Sequence, residues 1–206
     1  NILQLTQLGP QNILALTFTE AGVTALRSRL STVIGSLAYR VTISTFHGFA
    51  NEVIGIFPHL FTQTQTLRQI TDPDRFLLIE EIINGEKSLK ELRPLRKPDL
   101  YVQEVSARIK TCKQEAVTPE RLKKMYQRLT DKKITPQART RQNEFVTILK
   151  CYNEQMSARG WYDYEDTIQF VVDALRHNDE VRSYFQERYQ YMLVDEYQDS
   201  NNSQNA

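Results

Sequence analysis

Apolar positions along the chain change period four times. "NILALTF", Asn12 to Phe18, is a continuous apolar run rich in strand formers, and "YRVTIST", Tyr39 to Thr45, alternates like a second strand. Between them, Val23, Leu26, Leu30, Val33 and Ile34 recur at helical spacing, with Gly35 placed to end that helix. "FHGFANEVIGIF" reads as a further helix closed by Pro58. From about Thr66 to Gly160 the pattern is helical throughout. Asp72-Pro73 opens one helix, with Pro73 at its first position. "PDLYVQEVSARIKTC" forms another, and Thr118 caps "TPERLKKMYQRL". The longest runs from about Gln137 to Arg159, where Phe145, Ile148, Leu149, Tyr152 and Met156 make one apolar stripe and Gly160 stops it. Two more helices follow, "YDYEDTIQFVVDAL" and "DEVRSYFQERY". The chain then returns to a strand at Tyr191-Met192-Leu193-Val194.

This order predicts an α/β layer, residues 1–65 and 161–206, split by an inserted all-helical subdomain at 66–160. The chain has 206 residues, 40% of them hydrophobic and 25% charged, the balance of a globular protein. No apolar run approaches the roughly 20 residues of a membrane span, so a membrane is not among the expected partners. Cys112 and Cys151 have no ligand-like spacing and read as free thiols, which points to a cytoplasmic location.

Charge alters this picture through its distribution. The formal net charge is +1, yet Lys87 to Arg141 holds 16 Lys and Arg against 6 Asp and Glu, a net of +10. The remainder holds 10 against 19, a net of −9. A basic third beside an acidic remainder is a footprint expected where a segment meets a phosphate backbone. Lys123, Lys124, Lys132 and Lys133 are the candidate contacts.

The terminal strand runs directly into Asp195 and Glu196, with Asp199 within one turn. A buried parallel strand ending in Asp-Glu is what the second nucleotide motif of a P-loop NTPase requires: the Asp holds Mg²⁺ and the Glu orients or activates the attacking water. A solvated turn after an edge strand is the plainer explanation of the dipeptide alone.

The longer string "LVDEYQDSNNSQ" resembles the Asp-Glu-Tyr/Phe-Gln-Asp motif II of UvrD/Rep-type superfamily 1 helicases. "NILALTFTEAGVTALRSRL", Asn12 to Leu30, is similar to motif Ia of that family, and "ISTFHGFANEV", Ile43 to Val53, to its motif Ib. "GWYDYEDTIQF", Gly160 to Phe170, is similar to the segment where these proteins re-enter the motor domain after a helical insert. The resemblance implies a partial P-loop NTPase (RecA-like) motor domain of an ATP-dependent DNA helicase, using ATP and Mg²⁺ and acting on single-stranded DNA and DNA junctions in repair or recombination. It further implies that Asp195 coordinates Mg²⁺, that Glu196 is the general base, and that Gln198 and Asp199 couple the nucleotide to the DNA track. Thr17, Phe18, Thr19, Thr45, Phe46 and His47 would line that track, hydroxyls toward phosphate and aromatic faces toward bases.

Two departures stand out. Glu20-Ala21-Gly22-Val23 replaces the Asn-Lys-Ala-Ala of many members, so a lysine that could meet phosphate is gone. The Gly-x-x-x-x-Gly-Lys-Ser/Thr phosphate loop that should precede motif Ia is absent from the sequence. Asn1 to Gly9 resemble the tail of the helix after that loop, and the chain stops within the helix expected after motif II. The expectation is an excerpt of a longer helicase that does not hydrolyse ATP by itself. Alternatives are a non-catalytic DNA-binding or scaffolding relative, and a helicase-nuclease subunit of a recombination complex.

Overall fold

The computed structural model describes residues 8–97, 99–129 and 134–205, with the side chains of Gln63 and Asp199 outside the description. The chain divides into two compact units, one formed by 1–62 with 167–206 and the other by 63–166.

The first unit is built on a parallel sheet of order β2-β1-β5, comprising β1 (Ile13–Thr17), β2 (Thr42–Thr45) and β5 (Tyr191–Val194). β1 is buried along its whole length, as its apolar run requires of a central parallel strand. β2 buries alternate residues, the pattern of a strand with one covered face. Helix α1 (Glu20–Ile34) lays Val23, Leu26, Leu30 and Ile34 over Ile13, Ala15, Val41 and Ile43. Gly35 takes a positive φ of 61° at its end, a conformation open to glycine. On the other sheet face, α2 (Phe46–Ile56) buries Phe49, Ala50 and Val53 against Leu14 and Leu16, joined by Val171, Val181, Phe185 and Tyr189.

Two expectations are corrected here. Val33 does not pack with the partly buried Val23, Leu26, Leu30 and Ile34 but is 73% exposed, on the rim of an apolar hollow of about 360 Å³ between α1 and the sheet. β5 is not a buried strand either: Met192 is 58% and Leu193 46% exposed, because among the described residues only one of its edges is paired.

Among the described residues, the strands of the second unit are one parallel pair, β3 (Arg68–Gln69) with β4 (Trp161–Tyr162), and the rest of its regular structure is helical. Two residues are too few to leave a period-two signal, and the sequence reading passed over both. Its helices are α3 (Asp72–Gly85), α4 (Val102–Gln114), α5 (Pro119–Arg128) and α6 (Pro136–Ala158). Thr71 and Asp74 form a reciprocal capping box at the start of α3, and Thr118 and Thr135 cap α5 and α6. The core joins Leu78, Ile79 and Ile83 to Val105 and Ile109 and to the α6 stripe Phe145, Ile148, Leu149, Tyr152 and Met156.

α7 (Tyr164–His177) begins in this unit and continues into the first, followed by α8 (Asp179–Arg188). Its first turn carries the acidic string of "YDYEDT", which serves as internal counter-ion. Arg75, almost fully buried, lies 2.7 Å from Glu165 and 3.9 Å from Asp163. Lys113 lies 2.6 Å from Asp163 and 2.8 Å from Asp166. Burial alone would raise the pKa of Asp163, but Lys113 and Arg75 hold it below the usual carboxylate range. Burial, reinforced by the charge of Asp163, pushes Asp166 up despite Lys113.

Tyr152 donates a hydrogen bond to Asp163 at 3.1 Å. Burial first, and the Asp163 charge second, push its phenol far above the ordinary value of 10.0. Because the folded pKa is raised, this group's stabilisation is complete below the unfolded pKa and is lost as pH rises. Tyr152→Phe should cost stability at neutral pH because Asp163 loses that donor, and the gap to the parent chain should narrow by about 1.4 kcal/mol per pH unit above about pH 10, where only the parent's unfolded state ionises this phenol. Urea unfolding at stepped pH measures it, and a constant gap would contradict the assignment.

A second buried carboxylate organises a loop. Glu144, on α6, accepts backbone N–H groups from Lys90 at 2.7 Å, Glu91 at 3.1 Å and Leu92 at 2.8 Å. Glu144→Ala leaves those donors without this partner and should cost about 2–4 kcal/mol. Hydrogen exchange at the three amides should rise together.

Candidate nucleotide and nucleic-acid site

Parallel register brings the candidate residues to one edge. Thr17 pairs with Thr45 at the ends of β1 and β2. Leu16 pairs with Val194, and the next amide, Asp195 N–H, donates to Leu16 O at 2.9 Å. The C-terminal ends of three neighbouring strands thus carry Thr45, Thr17 and Asp195 in order, each about 4.8 Å from the next strand.

α1 and α2 both begin at this edge. Thr19 caps α1 by accepting Gly22 N–H at 3.0 Å, and Thr45 caps α2 by accepting Gly48 N–H at 3.0 Å. Two helix N-termini add positive partial charge where an anion would sit. Thr45 also donates to Glu20 at 3.4 Å, so the acidic substitute within motif Ia faces the same edge. A Cβ on Gly22 would lie 2.3 Å from Thr17 Oγ1, so glycine here allows α1 to begin against the buried hydroxyl. Phe18 and Phe46 are half-buried, with ring centroids 5.4 Å apart and planes tilted by 47°. His47, second in α2, is half-buried beside them in sequence.

Asp195, Glu196 and Gln198 are exposed. Neither Asp195 nor Glu196 has an ion-pair partner among the described residues. Glu196 adopts φ 53° and ψ 42°, left-handed and uncommon for a residue with a Cβ. A 3-10 turn, Tyr197–Asp199, follows in place of the expected α-helix. Its continuation is closed by side chains: Asn201 N–H donates to Gln204 Oε1, and Gln204 N–H to Asn201 Oδ1. Such side-chain bonds compete with helix formation.

Two exposed carboxylates at a strand end suit Mg²⁺, which favours oxygen ligands and needs only one or two from protein when phosphates supply others. Among the described residues no group of three or more His, Cys, Asp and Glu could hold a metal ion unaided. The donor set fits a metal shared with a nucleotide.

The basic candidates lie in the second unit and are described there. Lys124 is exposed on α5. Lys123 lines a groove of about 450 Å³ with Gln127, Arg139, Gln142 and Asn143. Lys132 and Lys133 lie outside the described residues. The sequence reading missed Glu144, Arg75 and Lys113, whose partners are distant in sequence. It also missed a readable signal, the triplets Lys87-Ser88-Leu89, Lys90-Glu91-Leu92 and Arg93-Pro94-Leu95.

Such a sheet with its helices is compatible with an α/β helicase domain. The chain belongs to the UvrD/REP helicase N-terminal domain family, which matches residues 1–206. It is similar to the ATP-dependent DNA helicase PcrA of Staphylococcus epidermidis RP62A, 26% identical over 204 residues, covering 98% of this chain and 25% of the relative. The PcrA of Staphylococcus aureus Mu50 is 24% identical over 205 residues, with the same coverage. The chain therefore spans a quarter of the length of these relatives. Among the described residues no helix is long and apolar enough to cross a membrane.

The left-handed backbone at Glu196 has a measurable consequence. Glu196→Gly should stabilise the chain by about 1 kcal/mol by relieving it, whereas Glu196→Gln should leave stability unchanged. Thermal unfolding of the two variants distinguishes backbone strain from a side-chain effect.

Proposed function

We propose that this chain is the part of an ATP-dependent DNA helicase motor that carries motifs Ia, Ib and II, with 63–166 as its inserted helical subdomain. The observation that carries the reading is the shared strand edge: Asp195, the residue just after β5, comes to the same edge as Thr17 and Thr45, which end β1 and β2 within motifs Ia and Ib. When bound with ATP, Mg²⁺ would neutralise phosphate charge. Asp195 would hold that ion, and the Glu196 carboxylate would take the proton of the attacking water. Gln198 and Asp199 follow within the same turn, where a change at the phosphates would be transmitted toward the track.

Single-stranded DNA would run along the edge beside Phe18 and Phe46. Aromatic faces stack on any base, so recognition there is independent of sequence. Thr19 still has a hydroxyl hydrogen to donate to phosphate while its oxygen caps α1. Thr17 and His47 complete the track, and Lys123, Lys124, Lys132 and Lys133 would meet backbone or junction phosphates from the helical subdomain. Work in DNA repair or recombination and a cytoplasmic setting belong to this reading.

Phe18→Ala should weaken binding of an unstructured DNA single strand by about 1–3 kcal/mol, read by fluorescence anisotropy with the melting temperature as control. Unchanged affinity in a folded variant would remove Phe18 from the track. No phosphate loop stands in the sequence, so the 206-residue chain should show no Mg²⁺-dependent ATP hydrolysis. Turnover sensitive to Glu196→Gln would refute that expectation.

A further inference from the structure

The 16 cations between Lys87 and Arg141 do not form one surface. Arg108, Lys110, Lys113 and Arg141 are engaged internally, by Glu104, by Glu165, by Asp163 with Asp166, and by Glu91. Among the described residues, two groups of the others lie at different faces of α6. Arg139, Gln142, Asn143 and Val146 line the groove that α6 shares with Lys123 of α5. Glu144 points from another face into the loop that carries Lys87, Lys90, Arg93, Arg96 and Lys97.

This loop is built rather than loose. Glu144 fixes three successive amides, and Leu89 and Leu92 are buried in the core at 5% and 1% exposure. In each triplet the leucine is the third residue and the cation the first. Turning Leu89 and Leu92 inward therefore leaves the cations outside: Lys87 and Lys90 are exposed and Arg93 half-buried. All three line one hollow of about 440 Å³, with Asn84, Pro94 and the fully exposed Leu95. The nearby carboxylates are occupied. Glu91 lies 3.8 Å from Arg141, and Glu86 accepts Ser88 N–H at 3.0 Å. A fixed backbone holding cations at every third residue around one concavity has the chemistry of a grip on a row of phosphates.

We propose that the loop 87–97 is a second, separate nucleic-acid backbone site, gripping phosphates on a face of α6 other than the Lys123 groove. The proposal rests on the DNA-binding reading above. Its target is the phosphate backbone; single-stranded and duplex DNA are its two possible sources.

The test measures affinity of the 206-residue chain for each source against salt concentration. Compared are the parent, a loop variant (Lys87→Gln, Lys90→Gln and Arg93→Gln together) and a groove variant (Lys123→Gln with Lys124→Gln). The loop variant should bind at least tenfold more weakly at about 0.1 M salt on one of the two DNAs, which identifies the source. Its slope of log K against log salt should fall by about 2–3, in line with roughly 0.9 per neutralised phosphate. Combined with the groove variant, the two losses should multiply. Should the triple variant misfold, Arg96→Glu with Lys97→Glu carries the same test. Parent-like affinity and slope in the folded loop variant, beside a parent that binds DNA, overturns this site alone. A parent that binds neither DNA overturns the DNA-binding reading and this site with it.

Discussion

The pairing of β1 on both edges with parallel neighbours is the constraint from which the first unit follows. Parallel strands in register must end side by side, so whatever residue follows each apolar run is delivered to a common edge. β1 is buried throughout, so polar groups cannot be housed along it and gather where it stops. Thr17 and Thr45 are the last residues of β1 and β2, and Asp195 is the first residue after β5. The connecting helices start at the same edge, capped by Thr19 and Thr45, and the first residue of α1 is the acidic Glu20. A carboxylate near a helix N-terminus is itself favourable, so concentrating negative charge at this edge costs less than the bare sequence suggests.

In the second unit the decisive constraint is charge neutralisation in a small core. Arg75 and Lys113 are buried or nearly so, and their stability depends on the acidic string at Asp163, Glu165 and Asp166. That string is also one of the blocks carrying the family resemblance. Its carboxylates are spoken for by internal cations, so it belongs to architecture and not to the nucleotide site. The same accounting lowers the charge that the basic block can offer a partner, since four of its cations are paired with carboxylates of this chain.

Much of this was legible in the sequence, because the elements that matter have clear periods. The Thr118 cap, the Gly35 and Gly160 stops and the α6 stripe each follow from local chemistry. The strings that resemble motifs Ia, Ib and II fall on β1, β2 and β5, whose ends the register brings to one edge. What escaped has physical reasons. β3 and β4 are too short to show alternation. Val33 obeys helical spacing, but spacing cannot say which part of a face its neighbours cover. The left-handed backbone at Glu196 is set by the turn after β5, not by the preference of glutamate. Glu144 looks like an ordinary helix-surface acid until the backbone of residues 90–92 is seen folded around it.

The edge threonines limit how the site can be tested. A cap uses the hydroxyl oxygen as acceptor and leaves its hydrogen to donate, so one side chain can close a helix and touch a phosphate together. At Thr45 that hydrogen is directed to Glu20, whereas Thr19 is exposed and retains it. Replacing either threonine by alanine removes a cap as well as a contact, and weaker binding would then report folding as much as recognition. Serine keeps both roles and valine neither, which leaves the threonines ambiguous under any single substitution. The aromatic pair carries no cap. A test of the proposed track is therefore cleaner at Phe18 than at the hydroxyls that flank it.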